Sequence, residues 1–275
     1  MGKNLISYII SFIIVVLIIA SVLLCFAQNK VLNEEYWQEK MAECNYYEKL
    51  ENTINDGFEN YIMQSGMDSS VFEGIYNLDR VKQDTNLLVH SILNNEEYKI
   101  DTSNIRESLD NNIRNYIREN KILVNKTVEN QIQNFENAII NTYTNSVTYS
   151  NTMVKSISNI IEKVKNIMPK ILVIIIILMI VNVVGIIALN VKNAKNIFKF
   201  IAVIAFTIAG LSIIGIALEK HFLGIQNLTV LNENISILVQ VLVKEIYRIL
   251  YVALAGGITV GLISSMFCGK STNKH

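Results

Sequence analysis

Residues able to do chemistry are present in this chain, but their spacing does not assemble them. His90 and His221 each stand alone, and no cluster of His, Cys and carboxylates has the spacing of metal ligands. Asp68-Ser69-Ser70 sets an acid beside two hydroxyls, yet no histidine at a suggestive distance backs a nucleophile. Ala255-Gly256-Gly257 has glycines, as a phosphate loop does, but lies inside an apolar run. The paired acids Glu34-Glu35 and Glu96-Glu97 read as solvated helix faces, not as calcium ligands. The expectation is a chain with no catalytic, cofactor-binding or metal-binding residue, hence not an enzyme. Of the three cysteines, Cys25 and Cys268 fall in or beside apolar blocks, which leaves Cys44 without an intramolecular partner. A small buried side chain is the expectation for Cys44, with a bridge between chains as the alternative.

The sharpest spacing is Ala253, Gly257, Gly261 and Ser265, small residues every four positions in the last apolar stretch. Such a stripe lets a second helix approach closely in lipid, where hydrocarbon gives helices no hydrophobic drive to pair. It serves either packing within the chain or contact with a second copy. Asn182, near the centre of another apolar run, is expected to hydrogen-bond a neighbouring helix, with a place along a substrate path as the other use.

The elements that position these residues are four apolar blocks, at 5–27, 171–191, 200–218 and about 246–267. The block 171–191 has no charge and spans about 31 Å at 1.5 Å per residue, the thickness of bilayer hydrocarbon. Between 171 and 189 it holds 15 Ile, Leu and Val, favouring insertion by about 5–8 kcal/mol. The first block, too long for a signal peptide core and lacking a small-residue cleavage site, reads as an uncleaved anchor. The expected fold is all-α: a polytopic membrane protein with four transmembrane helices and a helical extracytoplasmic domain. Its expected parts are an anchor at 1–27, the helical domain at 28–169, a three-helix transmembrane region at 170–268 and a tail at 269–275. Within the third part, 219–245 reads as an outer loop carrying an interfacial helix, on Leu228, Leu231, Ile235, Leu238 and Leu242. A strand over Ile235, Ile237, Val239 and Val241 is the alternative.

The zero net charge of the chain conceals a division. Residues 28–170 hold 21 Asp/Glu and 15 Lys/Arg, a net of −6, and the remainder carries +6. Lys3, then Lys192, Lys195 and Lys199, then Lys270 and Lys274 flank the blocks in segments without acids. Lysine-rich short segments mark the cytoplasmic side, which places both termini inside and 28–169 outside.

In that domain apolar residues recur at helical spacing. Tyr47, Leu50, Ile54, Phe58 and Tyr61 form a stripe that stops at Ser65-Gly66, and a short helix follows Asp68. Val81, Thr85, Leu88 and Ile92 form the next stripe, ending at Asn94-Asn95. Asn104-Ile105-Arg106-Glu107 has the spacing of a capping box ahead of Ile105, Leu109, Ile113 and Tyr116. Val128, Ile132, Phe135 and Ile139 open a stripe that resumes at Val154, Ile157, Ile161, Val164 and Met168 and passes Pro169 into the second block. One continuous helix is expected there, although the Thr, Ser and Asn between 141 and 152 compete for backbone bonds. The aromatics Tyr36, Trp37, Tyr46, Tyr47 and Tyr61 are expected in the core, a binding surface being the alternative.

Asn45-Tyr46-Tyr47-Glu48-Lys49-Leu50, Asn60-Tyr61-Ile62-Met63-Gln64-Ser65-Gly66, Val81-Lys82-Gln83-Asp84-Thr85-Asn86 and Ile100-Asp101-Thr102 resemble an uncharacterised family of low-GC Gram-positive membrane proteins. The resemblance covers the polar domain and, loosely, the four-span layout, and it implies architecture and localisation only. The expected function is a cell-envelope interaction or sensing module, with a component of a transport or channel assembly as the alternative. The expected partners are the lipid bilayer and a protein of the membrane or envelope, with homo-oligomer contact open and no nucleic acid.

Overall fold

The computed structural model describes residues 2–148, 151–218 and 233–269. Among them all regular structure is helical. The chain divides into two compact units, 32–164 and 1–31 with 165–275.

The unit 32–164 is a helical bundle of α2 (Glu34–Glu43), α3 (Tyr46–Ser65), α4 (Leu78–Asn94), α5 (Ser103–Glu119), α6 (Lys126–Val147) and the first turns of α7 (Asn151–Asn190). Asparagine stands at the start of four of these helices, and in three its side chain caps the first turn. The side-chain oxygens of Asn33, Asn77 and Asn125 accept from backbone N–H groups of the first turns of α2, α4 and α6, which have no partner inside the helix. Asp68 does the same for the single 3-10 turn Ser69–Phe72. Gly66 stops α3 in the left-handed conformation at φ 69°, and Asn95 stops α4 at φ 54°.

Two local expectations are corrected. The start of α5 lies at Ser103, and its cap position, Thr102, makes no side-chain capping bond. The carboxylate of Asp101 accepts instead from the Ser103 N–H (3.0 Å) and hydroxyl (2.6 Å), so Asn104 is already inside the helix and no capping box forms. Secondly, α6 and α7 are separate. The hydroxyl of Thr148 donates to the Thr144 carbonyl at 2.8 Å, and its backbone turns extended, at φ −110° and ψ 144°. Side-chain competition for backbone bonds in a Thr- and Asn-rich stretch prevails there over the apolar period.

The core follows the stripes. Leu50, Ile54 and Phe58 of α3, Ile105, Leu109 and Ile113 of α5, and Ile132 and Ile139 of α6 are buried. Tyr36, Tyr46 and Tyr47 are buried with them, while Trp37 and Tyr61 are half-buried. Helices α3 and α6 run antiparallel, with Gly57 against Thr142 and the Tyr61 ring edge-on to Phe135 at 6.4 Å. On α7, Val154 and Ser158 are buried, whereas Ile157 and Val164 are exposed, so the expected stripe is only partly used.

The other unit holds α1 (Gly2–Phe26) with a π-helical turn after it (Ala27–Val31), the rest of α7, α8 (Ala194–Leu218) and α9 (Glu233–Gly269). Four helices, Gly2–Val31, Val154–Asn190, Ala194–Leu218 and Ser236–Cys268, are long and apolar enough to cross a membrane. The chain is accordingly a multi-pass membrane protein of the all-α class. Helices α8 and α9 form an antiparallel pair: Gly215 meets Leu250, Gly257 meets Ala205 and Ala209, and Phe198 stacks on Phe267 at 5.3 Å. The separate interfacial helix is a further correction. Residues 233–245 are the first turns of α9, which runs unbroken to Gly269, and the strand alternative over 235–241 does not occur. The rest of that expected loop, 219–232 with His221, Leu228 and Leu231, and the tail 270–275 lie outside the described residues.

Candidate functional site

Helix α4 places Arg80 and Asp84 one turn apart, so they face the same way. The Arg80 Nε–H donates to Asp84 Oδ2 at 2.8 Å, and Tyr143 from α6 donates its hydroxyl to the same oxygen at 2.7 Å. Tyr98 donates to the Asp84 backbone carbonyl at 3.0 Å, and the Arg80 guanidinium also donates to the Asp101 carbonyl. Asp84 is 3% exposed, and an ionised carboxylate at such a depth needs these partners. Burial first, and then the neighbouring Asp84, push the hydroxyls of Tyr98 and Tyr143 well above the usual range, keeping both as donors. Tyr76 lies edge-on to Tyr143 at 5.5 Å and donates to Asn55. Above Arg80 opens a cavity of about 350 Å³, lined by Tyr76, Asn77, Gln83, Asn104 and Ser108.

A second polar cluster ties α5 to α6. Arg114 reaches Glu129 through its two terminal guanidinium nitrogens, at 2.8 and 2.6 Å, and Asp110 through Nε at 3.1 Å. The fork holds the Glu129 carboxyl below its ordinary range. Glu136 is buried beside Arg106 at 3.3 Å, and burial, reinforced by Asp110, raises its carboxyl above the ordinary range. His90 near the end of α4 meets Glu34 in the first turn of α2 at 2.8 Å and Glu96 at 3.5 Å. The hydrogen bond it donates to the Glu34 carboxylate raises the imidazole above its usual range. Each of these ionic groups is engaged by another, and together they lock α2, α4, α5 and α6 to one another. None of the sequence stripes marks Asp84, Tyr143 or Glu136. The one local signal is Arg80 and Asp84 at a spacing of four inside an apolar stripe.

The opposite character is found where α3 ends and α5 turns into α6. Leu123 is 88% and Met63 74% exposed, and Ile122 and Val124 are exposed beside Leu123. This end is remote from Leu32 and Val164, where the chain enters and leaves the unit: near those points His90 holds Glu34 and Asn95 holds Glu162, at 2.6 Å.

In the other unit, Gly257 and Gly261 are buried and Ala253 is half-buried. A methyl group on Gly261 would stand 2.7 Å from the Phe206 ring. Ser265 is exposed, its hydroxyl bonded to the Gly261 carbonyl, and Ser264 is the buried serine. Four residues turn about 400°, so three such steps carry Ser265 roughly 120° from Ala253, whereas Ser264 returns to within about 20°. The facing side of α8 is also built of small residues, Ala202, Ala205, Ala209 and Ser212, all buried. Asn182 donates to Leu178 of its own helix at 2.7 Å and does not make the expected bond between helices. That bond belongs to Asn190, whose amide donates to the buried Ser7 hydroxyl of α1 at 3.1 Å. Its sequence signal is Ser7 and Ser11 one turn apart on an apolar helix, both buried.

The chain matches no protein-family model, no curated protein and no solved structure with which it was compared.

Proposed function

We propose that the chain is a non-enzymatic protein of the cell membrane whose helical bundle works outside the cytoplasm as an interaction module. The observation that carries this reading is the contrast within the bundle. Its clustered ionic groups are engaged with one another, and one end holds Met63, Ile122, Leu123 and Val124 in solvent. Single exposed apolar residues are ordinary, but three in succession on one loop leave apolar area that a partner would cover. The lysines at 3, at 192, 195 and 199, and at 270 and 274 support cytoplasmic termini and an extracytoplasmic bundle.

The experiment places a photo-crosslinking residue at 63, 123 or 87 in the full chain in its native membrane. Discrete products from 63 and 123 with little from 87, an exposed position on α4, are expected. Equal, diffuse labelling from all three positions would overturn the module. Solute efflux from vesicles containing the purified chain would instead move it to the transport class.

A further inference from the structure

We propose that the end of the bundle around Leu123 docks onto an anionic lipid surface, which names the partner of the interaction module and rests on that reading.

The loop between α5 and α6 projects for a structural reason. Helix α5 closes with the Ile122 N–H bonded to the Ile117 carbonyl at 3.0 Å and Lys121 in the left-handed conformation, at φ 53°. This is the six-to-one closure in which glycine normally takes the left-handed position, because a side chain there is strained by roughly 1–2 kcal/mol. A lysine occupies it here. The closure turns the chain so that Leu123 has no cover, and Asn125 at once caps α6. The apolar tip is therefore held between two helix ends.

Two features favour lipid over a protein partner. The projecting residues are aliphatic, Ile122, Leu123 and Val124, whereas protein contacts are dominated by Tyr, Trp and Arg anchors seated in pockets. The charges beside them are Arg118, Lys121 and Lys126 against Glu119, all exposed, on a domain that is acidic as a whole. Aliphatic residues entering the headgroup boundary with lysines beside them is the chemistry by which surface segments hold anionic bilayers.

The test uses the full chain in phosphatidylcholine nanodiscs, floated with vesicles of phosphatidylcholine alone or of equal parts phosphatidylcholine and phosphatidylglycerol. Association with the anionic vesicles is expected, and much less with the neutral ones. Lys121→Gly removes a charge at a position where glycine is the easier residue, so the fold is kept; binding should weaken about five-fold. Leu123→Asp, at a side chain without cover, should weaken it roughly ten-fold or more. Leu87→Asp should bind as the parent does. No association with anionic vesicles, or equal association of all variants, overturns the proposal. If the photo-crosslinks from 63 and 123 then lead to a protein, the interaction module stands with a different partner; if they are diffuse as well, both readings fall.

Discussion

Gly257 of α9 lies so close to α8 that a methyl group on it would stand 2.6 Å from the Ala205 carbonyl oxygen and 3.1 Å from the Ala209 side chain. The first of these neighbours is backbone and cannot rotate away. At Gly261 the obstacle is the Phe206 ring, a side chain with some freedom, and at Gly256 there is open space. Gly257→Ala should therefore cost about 1–3 kcal/mol, as overpacking does, and Gly261→Ala less. Gly256→Ala should be neutral or gain up to about 1 kcal/mol from helix propensity. Thermal unfolding in detergent followed by circular dichroism gives the order. Equal melting of all three variants would remove the close approach of α8 and α9.

Asp84 accepts from Arg80 and Tyr143 at a site almost closed to solvent. Asp84→Ala leaves the tyrosine hydroxyl without its acceptor and takes the carboxylate from the guanidinium, which keeps its bond to the Asp101 carbonyl. Breaking a fully buried pair costs about 3–5 kcal/mol, and roughly 2–4 is expected here because Arg80 keeps 22% of its side chain exposed. Tyr143→Phe removes one bond to the carboxylate and should cost about 1–2 kcal/mol. Urea unfolding of the full chain, read in the bundle, measures both. An Asp84→Ala protein as stable as the parent would mean that the cluster adds nothing to the bundle.

What the sequence makes legible is what is local. Gly66 and Asn95 announce helix ends because the left-handed residue and the carbonyl it caps are a few positions apart. The small stripe at 253, 257 and 261 is legible for the same reason, as it lies within one helix. Its counterpart Ala205 and Ala209 is not, because alanine in an apolar run carries no mark of the face it presents. Asp84 and Tyr143 are 59 residues apart, and no periodicity ties an acid on one stripe to a tyrosine on another. The break at Thr148 was balanced between two local forces, an apolar period and hydroxyl competition for the backbone, and only the folded chain decides between them.

The imidazole of His90 gains Glu34 and Glu96 on folding, and its pKa rises from the ordinary 6.5. A histidine whose folded pKa is raised contributes stability that is complete below the unfolded value and is lost as pH rises through the folded one. Melting temperature should therefore fall between about pH 6 and 8. In His90→Gln that fall should shrink, since glutamine donates at any pH without charge. Titration of the His90 ring by NMR should give a pKa above 6.5 in the parent and closer to 6.5 in Glu34→Gln. An unchanged pKa in Glu34→Gln would show that the contact between α2 and α4 is not what holds the proton.

Two asparagines sit in α7 among apolar residues, and they should behave differently. Asn190 donates to Ser7 of α1 at 3.1 Å and to its own Ile186 carbonyl at 2.9 Å, while Asn182 donates only within its helix, to Leu178. Hydrogen bonds between membrane helices are worth about 0.6–2 kcal/mol. Asn190→Ala should cost an amount in that range. Ser7→Ala should cost less, because the Asn190 amide keeps its bond to Ile186, and Asn182→Ala should cost nothing measurable. The double variant Asn190→Ala with Ser7→Ala separates the bond from its surroundings: the two single costs should exceed the double cost by the energy of the pair. Detergent or bicelle unfolding of the four proteins gives that difference. A difference of zero would mean that α1 is held to α7 by Ile14 and Ile186, which pack with Phe200, and not by the polar pair.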